Sequence, residues 1–286
     1  MIMSHRYQTR DREEKSPHGG FSFIFFEKIP FLRYSIDMTE TPNKLPDHKP
    51  KQHNQYLHWN EKTITDFSPD AVADLYDHGY VFTRLGKGIM HQTRSVRIDL
   101  SKFELSSENR RILKKINNPE VVGFIETTTL PFSNYTWHIS KKAKDFYEKK
   151  FGPNVMTANK IKELLTEPAR SNFNCLIRYI SKENTKNVSE IGWTISYRTS
   201  SMLHYAYPFY DLERSPKDMG LGMMTMAISL EKNTGSLYVY LGSLQRPSDV
   251  YKLQFSGIEW FDGGPEKKGT WQTDIEVAKE ILKKIS

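Results

Sequence analysis

Two stretches of the chain combine residue types and spacing that could do chemistry. Lys217-x-x-Gly220-x-Gly222 precedes an apolar run, Met223 to Leu230, with no proline and no internal glycine. Glycines let backbone N–H groups turn toward one point, and a helix opening there adds positive potential, so the spacing suits a phosphate or another anion. Plain turn glycines leave the same trace, and both readings stay open. The second stretch runs from Ser106 to Lys115. Its serines start a helix that places Arg110, Arg111, Lys114 and Lys115 within two turns, either a footprint for a phosphate backbone or a solvated helix end complementing the dipole.

Particular elements must position these residues. The run after Gly222 reads as a helix, and Leu237 to Leu241, apolar on both faces and closed by Gly242, reads as a strand covered on both sides. Before the glycines, residues 173–180, 190–197 and 201–208 are three strands joined by polar loops, which predicts an antiparallel meander. Further back, Ser68-Pro69-Asp70 signals a helix start carrying Ala71, Val72, Leu75 and Tyr76 up to Gly79. Residues 80–85, 95–100 and 121–125 read as strands, and 141–151 and 157–165 as helices whose apolar faces suit a core. Residues 274–285 form a closing amphipathic helix.

Composition bounds what such an assembly can be. The 286 residues are 37% hydrophobic, enough for a real core, and the net charge of +7 with a pI near 9.2 is compatible with a polyanionic partner or with ordinary solubility. A single cysteine, Cys175, excludes an internal disulfide framework and any cysteine-built metal site, and fits a reducing, cytoplasmic setting. His48, His53 and His58 are spaced too loosely in a polar tract to be argued as ligands, so no metal is expected. Residues 1–60 are poor in aliphatic side chains and read as a disordered leader, with 61–286 as one domain. Inside that leader the apolar segment Phe21 to Leu32 is too short and too broken by Glu27, Lys28 and Pro30 to span a bilayer.

Antiparallel strands, then a glycine turn and helix, then further strands is the order of the GNAT acyltransferase fold. The expected class is therefore α+β, a mixed and mostly antiparallel sheet flanked by helices. Three segments carry a closer likeness: residues 97–103 leading into the basic helix; Phe209-Tyr210-Asp211 followed by Leu221-Gly222; and Tyr238-Val239-Tyr240-Leu241-Gly242 with Tyr251-Lys252 and Phe255. In these the chain resembles the arginyl-tRNA–protein transferases and their bacterial leucyl-transferring relatives, which move an amino acid from aminoacyl-tRNA to a protein's N-terminus. It departs from them where their cysteines stand, since Ile89 to Arg94 and Arg246 to Val250 contain none.

The resemblance implies a monomeric aminoacyltransferase that needs no cofactor, because its donor is already an activated ester, and that works on a protein or peptide N-terminus away from any membrane. It implies Asp211 as the residue that holds or deprotonates the acceptor amine. Gly220 and Gly222, with Lys217, become the anion-binding turn, and Arg110, Arg111, Lys114 and Lys115 contact tRNA phosphates. Lys252 adds to that surface. Tyr210, Tyr240 and Tyr251 border the amino-acid pocket, Tyr240 and Tyr251 with core packing as their other reading. Two alternatives stay open: an acetyl-coenzyme A N-acyltransferase with Lys217 to Gly222 cradling the pyrophosphate, and a relative that binds tRNA or protein without transfer. Because the composition of residues 1–60 cannot offset chain entropy by apolar burial, limited proteolysis is expected to cut there first. Protection of Phe21 to Leu32 would show instead that this segment docks.

Overall fold

Helix starts fall where capping chemistry puts them. In the computed structural model, which describes residues 56–182 and 188–285, α1 (Pro69–Asp77) begins with proline at its first position after Ser68. The start of α2 (Ser107–Ile116) is a reciprocal capping box between Ser106 and Asn109. Asn118 accepts from the N–H groups of Glu120 and Val121 and precedes Pro119, and this cap makes a one-turn helix, α3 (Pro119–Val122), of residues that apolar content alone predicts as strand. Helices α4 (Trp137–Phe151), α5 (Ala158–Thr166), α6 (Met219–Thr234) and α7 (Ile275–Lys284) complete the set.

The strands form two sheets. A small one pairs β1 (Asn60–Thr63), β3 (Ile89–Gln92) and β2 (Tyr80–Phe82) in that order. The main sheet contains β4 (Ser95–Asp99), β5 (Phe124–Thr129), β6 (Cys175–Lys182), β7 (Val188–Arg198), β8 (Met202–Tyr210), β9 (Tyr238–Ser243), β10 (Ile258–Gly264) and β11 (Lys267–Gln272). Its order is β11-β10-β4-β9-β8-β7-β6-β5, and every pairing is antiparallel except β8 with β9. A parallel pair needs a crossover, which α6 supplies. This is the mixed, mostly antiparallel α+β arrangement that the GNAT-like order of elements predicts.

Alternation along the strands divides the core in two. One face of the main sheet buries Ile98, Ile177, Tyr179, Leu203 and Val239 against α2, α6 and α7. The other buries Leu176, Trp193, Ile195, Phe209 and Tyr240 against α1, α4, α5 and the small sheet. The β4 residue Arg97 ties the second layer together. Its guanidinium stacks 4.1 Å from the Tyr238 ring and 3.9 Å from Trp271, and it pairs with Asp77 and Glu259 at 2.7 Å each. Burial opposes that charge, yet the hydrogen bonds to Asp77, Tyr240 and Glu259 outweigh it and raise the pKa.

Everything described belongs to the unit Gln52–Ser286; Phe21 to Leu32 and the rest of residues 1–55 lie outside the described residues. Part of the stretch before residue 60 is described. Leu57 donates its N–H to Gln245 Oε1 at 2.9 Å and accepts from Thr93 Oγ1 at 2.7 Å.

Helix α6 has apolar residues all around it and is buried from Gly222 to Ile228. It packs against α2. A Cβ on Gly222 would stand 2.6 Å from Ile116 Cγ1, so the two helices meet there backbone to side chain. Gly222→Ala is expected to cost roughly 1–3 kcal/mol through overpacking, despite alanine's ~1 kcal/mol advantage inside a helix. Urea unfolding of the variant, with Ile116→Ala added to remove the Cγ atoms in the way, checks this; a gain in stability on Gly222→Ala alone would show that the helices can part freely.

Candidate functional site

The parallel ladder between β8 and β9 is short. It joins Met202 to Tyr238, Leu203 to Val239 and His204 to Tyr240, and then stops. β8 continues to Tyr210 with β7 as its ladder partner, and β9 turns through Gly242 at φ 76. Beyond these three pairs the two strands are no longer hydrogen-bonded to each other, and the last residues of β8 pair with β7 alone. Pro208, which carries no N–H, stands within that stretch. Lys252 secures the β9 side. Its buried Nζ donates to Ser243 O at 2.7 Å and lies 3.3 Å from Asp249 Oδ1, while Tyr56 and Ser243 share a 2.9 Å hydrogen bond. Burial works against the Lys252 charge, and neighbouring Tyr251 and Asp249 outweigh it.

Asp211 follows directly on β8. Its N–H donates to Ile191 O at 2.9 Å, and Oδ1 accepts from the N–H groups of Glu213 at 3.1 Å and Arg214 at 3.4 Å, which fixes the carboxylate in an Asx-type turn. The other oxygen, Oδ2, receives the ammonium of Lys142 from α4. The Asp211 side chain is 10% exposed and that of Lys142 is 40% exposed, so the pair sits at the protein surface with its acidic half sheltered. Burial alone would push the carboxyl up; the Lys142 ammonium and the two amides prevail and hold it below its ordinary value. Asp211 is thus a carboxylate at neutral pH, presenting one oxygen to an ammonium.

The other sequence-selected residues divide into those gathered here and those elsewhere. Tyr210 ends β8, its ring set edge-on to Phe146 of α4 with centroids 4.7 Å apart. On its other side lies Gly220, whose Cβ, if it had one, would be 3.4 Å from Tyr210 Cε1. Gly220 and Gly222 both belong to the first turns of α6 rather than to a loop before it, and each allows a close approach, Gly220 by Tyr210 and Gly222 by Ile116. Lys217 is exposed, and its carbonyl accepts from Lys115 Nζ at 3.0 Å. Asp218, in a left-handed conformation before α6, lies 3.4 Å from Lys115 Nζ and 4.0 Å from Arg111. These contacts bring the end of α2 to the start of α6.

All four basic residues of α2 are exposed. Arg111 forms a bidentate pair with Glu108 at 2.7 and 2.8 Å, and Arg110 donates to Leu105 O. Lys114 has no acidic partner among the described residues. Tyr240 lies apart from this group. Only 2% exposed, it sits in the core edge-on to Tyr76 at 4.8 Å and 3.5 Å from Arg97, its phenol pushed up to about 12 by burial. Tyr251 is 42% exposed on the 3₁₀ helix Pro247–Gln254, beyond β9. Lys252 beside it is buried and structural.

Lys142 and Phe146 escape sequence reasoning. Spacing gave α4 a core face, but nothing local ties a lysine of one helix to an aspartate 69 residues later. Cys175 is buried with its thiol pushed up to about 12, which leaves it inert at neutral pH. Among the described residues no group of three or more His, Cys, Asp or Glu is placed to hold a metal ion, and no helix is long and apolar enough to cross a membrane.

No family model matches the chain, and no curated protein compared with it does. Among solved structures it is similar to L-PGS from Bacillus licheniformis, with 15% identity, a TM-score of 0.39, and coverage of 65% of this chain and 51% of that one. It is similar also to FemX, with 8% identity, a TM-score of 0.36, and coverage of 61% and 60%. A third is the GCN5-related glucosamine N-acetyltransferase region of a fungal multi-domain GH3 β-N-acetylglucosaminidase, with 15% identity, a TM-score of 0.32, and coverage of 60% and 20%. The chain spans about half the length of the L-PGS that it matches.

The last pair of the parallel ladder contains a buried histidine. His204 Nδ1 shares a 2.8 Å hydrogen bond with the Tyr76 hydroxyl, and burial, with Lys252 adding to it, pushes the imidazole down to about 3. Between that value and the ordinary 6.5 the unfolded chain binds the proton and the folded one does not. Stability contributed by neutral His204 is therefore complete above about 6.5 and declines as pH falls toward 3. Urea midpoints measured over this range should fall with pH more steeply in the wild type than in His204→Gln; equal slopes would mean that this imidazole takes up its proton within the fold.

Proposed function

We propose that the chain is an aminoacyl-tRNA-dependent aminoacyltransferase that moves arginine or leucine to the N-terminal amine of a protein. The observation that carries this reading is Asp211, an ionised carboxylate just past the end of β8, with one oxygen already engaged by an ammonium. Lys142 occupies the position that an acceptor's α-ammonium would take, and its partial exposure lets it withdraw. The resemblance of Phe209-Tyr210-Asp211, the α2 segment and the Tyr251-Lys252 pair to the arginyl- and leucyl-transferring family supplies the donor class.

In the transfer, the acceptor ammonium gives up a proton and its nitrogen attacks the ester carbonyl carbon. The bond to the ribose oxygen then breaks, an amide forms, and the ribose hydroxyl leaves with a proton. The donor is activated beforehand, so the residues need only orient the amine and stabilise developing charge. Asp211 fits the first task well. A carboxylate held below its ordinary pKa anchors an ammonium more firmly than it removes a proton, so positioning is its larger contribution. The coenzyme A alternative is weakened by Asp218, whose negative charge stands directly before α6, where a pyrophosphate would meet the helix N-terminus.

Asp211→Asn keeps the size and most of the hydrogen bonding of the side chain and removes its charge. With labelled aminoacyl-tRNA and acceptor peptides, transfer is expected to drop by about 100-fold or more, with the fold and tRNA binding retained. A folded Asn variant with near-normal transfer would remove Asp211 from the site. Absence of transfer by the wild type with every charged tRNA would end the enzymatic reading.

A further inference from the structure

Among the described residues, the strands of the main sheet carry Arg97, Arg178 and Arg198. Two of these guanidiniums are each held by two carboxylates: Arg97 by Asp77 and Glu259, and Arg178 of β6 by Glu190 and Glu126 at 2.6 Å each. Arg198, the last residue of β7, has only one. Its Nε lies 2.9 Å from Glu231 Oε1 of α6, without the alignment of a hydrogen bond, and neither Nη has a partner among the described residues. Glu231 itself is fully buried, its other oxygen taken by Ser236 Oγ at 2.6 Å. The Arg198 side chain is 30% exposed, so its unmatched donors face outward.

They face a cleft of about 560 Å³ between the end of β5, the start of β6, the turn from β7 to β8 and the end of α6, with Thr127, Thr129, Cys175, Ser200 and Ser236 among its walls. That volume suits a small molecule. Register sets Thr129 opposite Cys175 and Cys175 opposite Ser196, so that Thr127, Thr129, Cys175, Ser196 and Arg198 share one face of the sheet. The hydroxyls of Thr127, Thr129 and Ser200 have no partner among the described residues. Ser196 Oγ, on the same face behind them, is fully buried and also without one. No aspartate or glutamate lines the cleft, and the last carbonyls of α6 are already occupied: Glu231 O accepts from Ser236 N–H at 3.3 Å and Thr234 Oγ1 at 3.0 Å, and Lys232 O from Gly235 N–H at 3.4 Å. Arg198 is therefore the one charge on the wall.

A guanidinium held through Nε presents its two Nη groups as a planar fork, the geometry that meets a carboxylate or a phosphate with two parallel hydrogen bonds. Arg97 and Arg178 find their second oxyanion within the fold; Arg198 finds none there. We infer that this cleft is a binding site for a small molecule bearing a carboxylate or phosphate group, gripped by the Nη fork of Arg198 and hydrogen-bonded by Thr127, Thr129 and Ser200. A neutral polyol fits less well, because hydroxyl acceptors leave the charge of the fork unmatched. The site is separate from Asp211. The nine residues of β8 set the two apart by about 27 Å, and the inference stands whether or not the chain transfers an amino acid.

Amide NMR of the full chain, titrated separately with inorganic phosphate, acetate and glucose, tests it. Phosphate or acetate should give saturable shifts concentrated at residues 127–129, 174–175 and 196–200, and the tighter of the two identifies the group that the site takes. Arg198→Lys keeps a cation beside Glu231 and removes the fork, so affinity should fall roughly tenfold or more. Thr129→Val leaves the pair of Arg198 with Glu231 untouched and should weaken binding by roughly threefold to tenfold, with the thermal midpoint retained. No saturable shift at these residues with either anion, or affinity unchanged in both variants, would overturn the inference. Glucose moving the same amides as strongly as the anions would overturn it in favour of a site for neutral polyols.

Discussion

Three parallel residue pairs between β8 and β9 are the constraint on which the rest of the structure depends. A parallel step cannot be closed by a hairpin, so the chain must cross over the sheet and return, and the crossover helix α6 lies beneath other elements rather than at the surface. Hence its run of buried methionines and its glycines, which make room for Ile116 and Tyr210. Because the ladder ends at His204, the last residues of β8 are free of a second strand on that side.

Charge around Asp211 and the start of α6 is arranged as compensated pairs. Asp211 meets Lys142, Asp218 meets Lys115 and Arg111, and Arg111 also meets Glu108. Pairs exposed to this degree contribute little to stability individually. Their importance lies in holding ionised groups in place before a ligand comes: a carboxylate that already has a lysine on it is desolvated on one side and kept ionised, so exchanging one ammonium for another costs less than stripping it of water. The same logic separates Asp211 from Asp218, which faces the basic helix and offers nothing to an acceptor.

Sequence reasoning reached the fold class because each major element has a local signature. The Ser106 cap, the meander of three alternating strands, and the doubly apolar β9 are legible within windows of about ten residues. It missed α3 because a side-chain cap at Asn118 overrides the apolar content of Val121 and Val122. The site was legible only in part. Tyr210 and Asp211 adjoin in sequence, but Lys142 and Phe146 reach them from another helix through tertiary packing, which leaves no periodic trace. The expected glycine loop turned out to be helix because Gly220 and Gly222 answer to contacts across the fold, with Tyr210 and Ile116, rather than to a turn of their own. Tyr240 illustrates the reverse case: a tyrosine in a strand apolar on both sides is core unless something opens that side.

The contact between Gly222 and Ile116 has a mechanical side. Where two helices meet through long side chains, rotamer changes let one shift against the other by an ångström or so without cost to the backbone. Here the backbone of α6 rests directly on a side chain of α2, leaving no such play. The basic helix and the first turn of α6 are therefore held at a close separation, and the ring of Tyr210, next to Asp211, touches the same turn. Under the proposed function, a polyanion laid along α2 would have its reach toward Asp211 set by that separation, so the pair of helices would measure it as well as attract it.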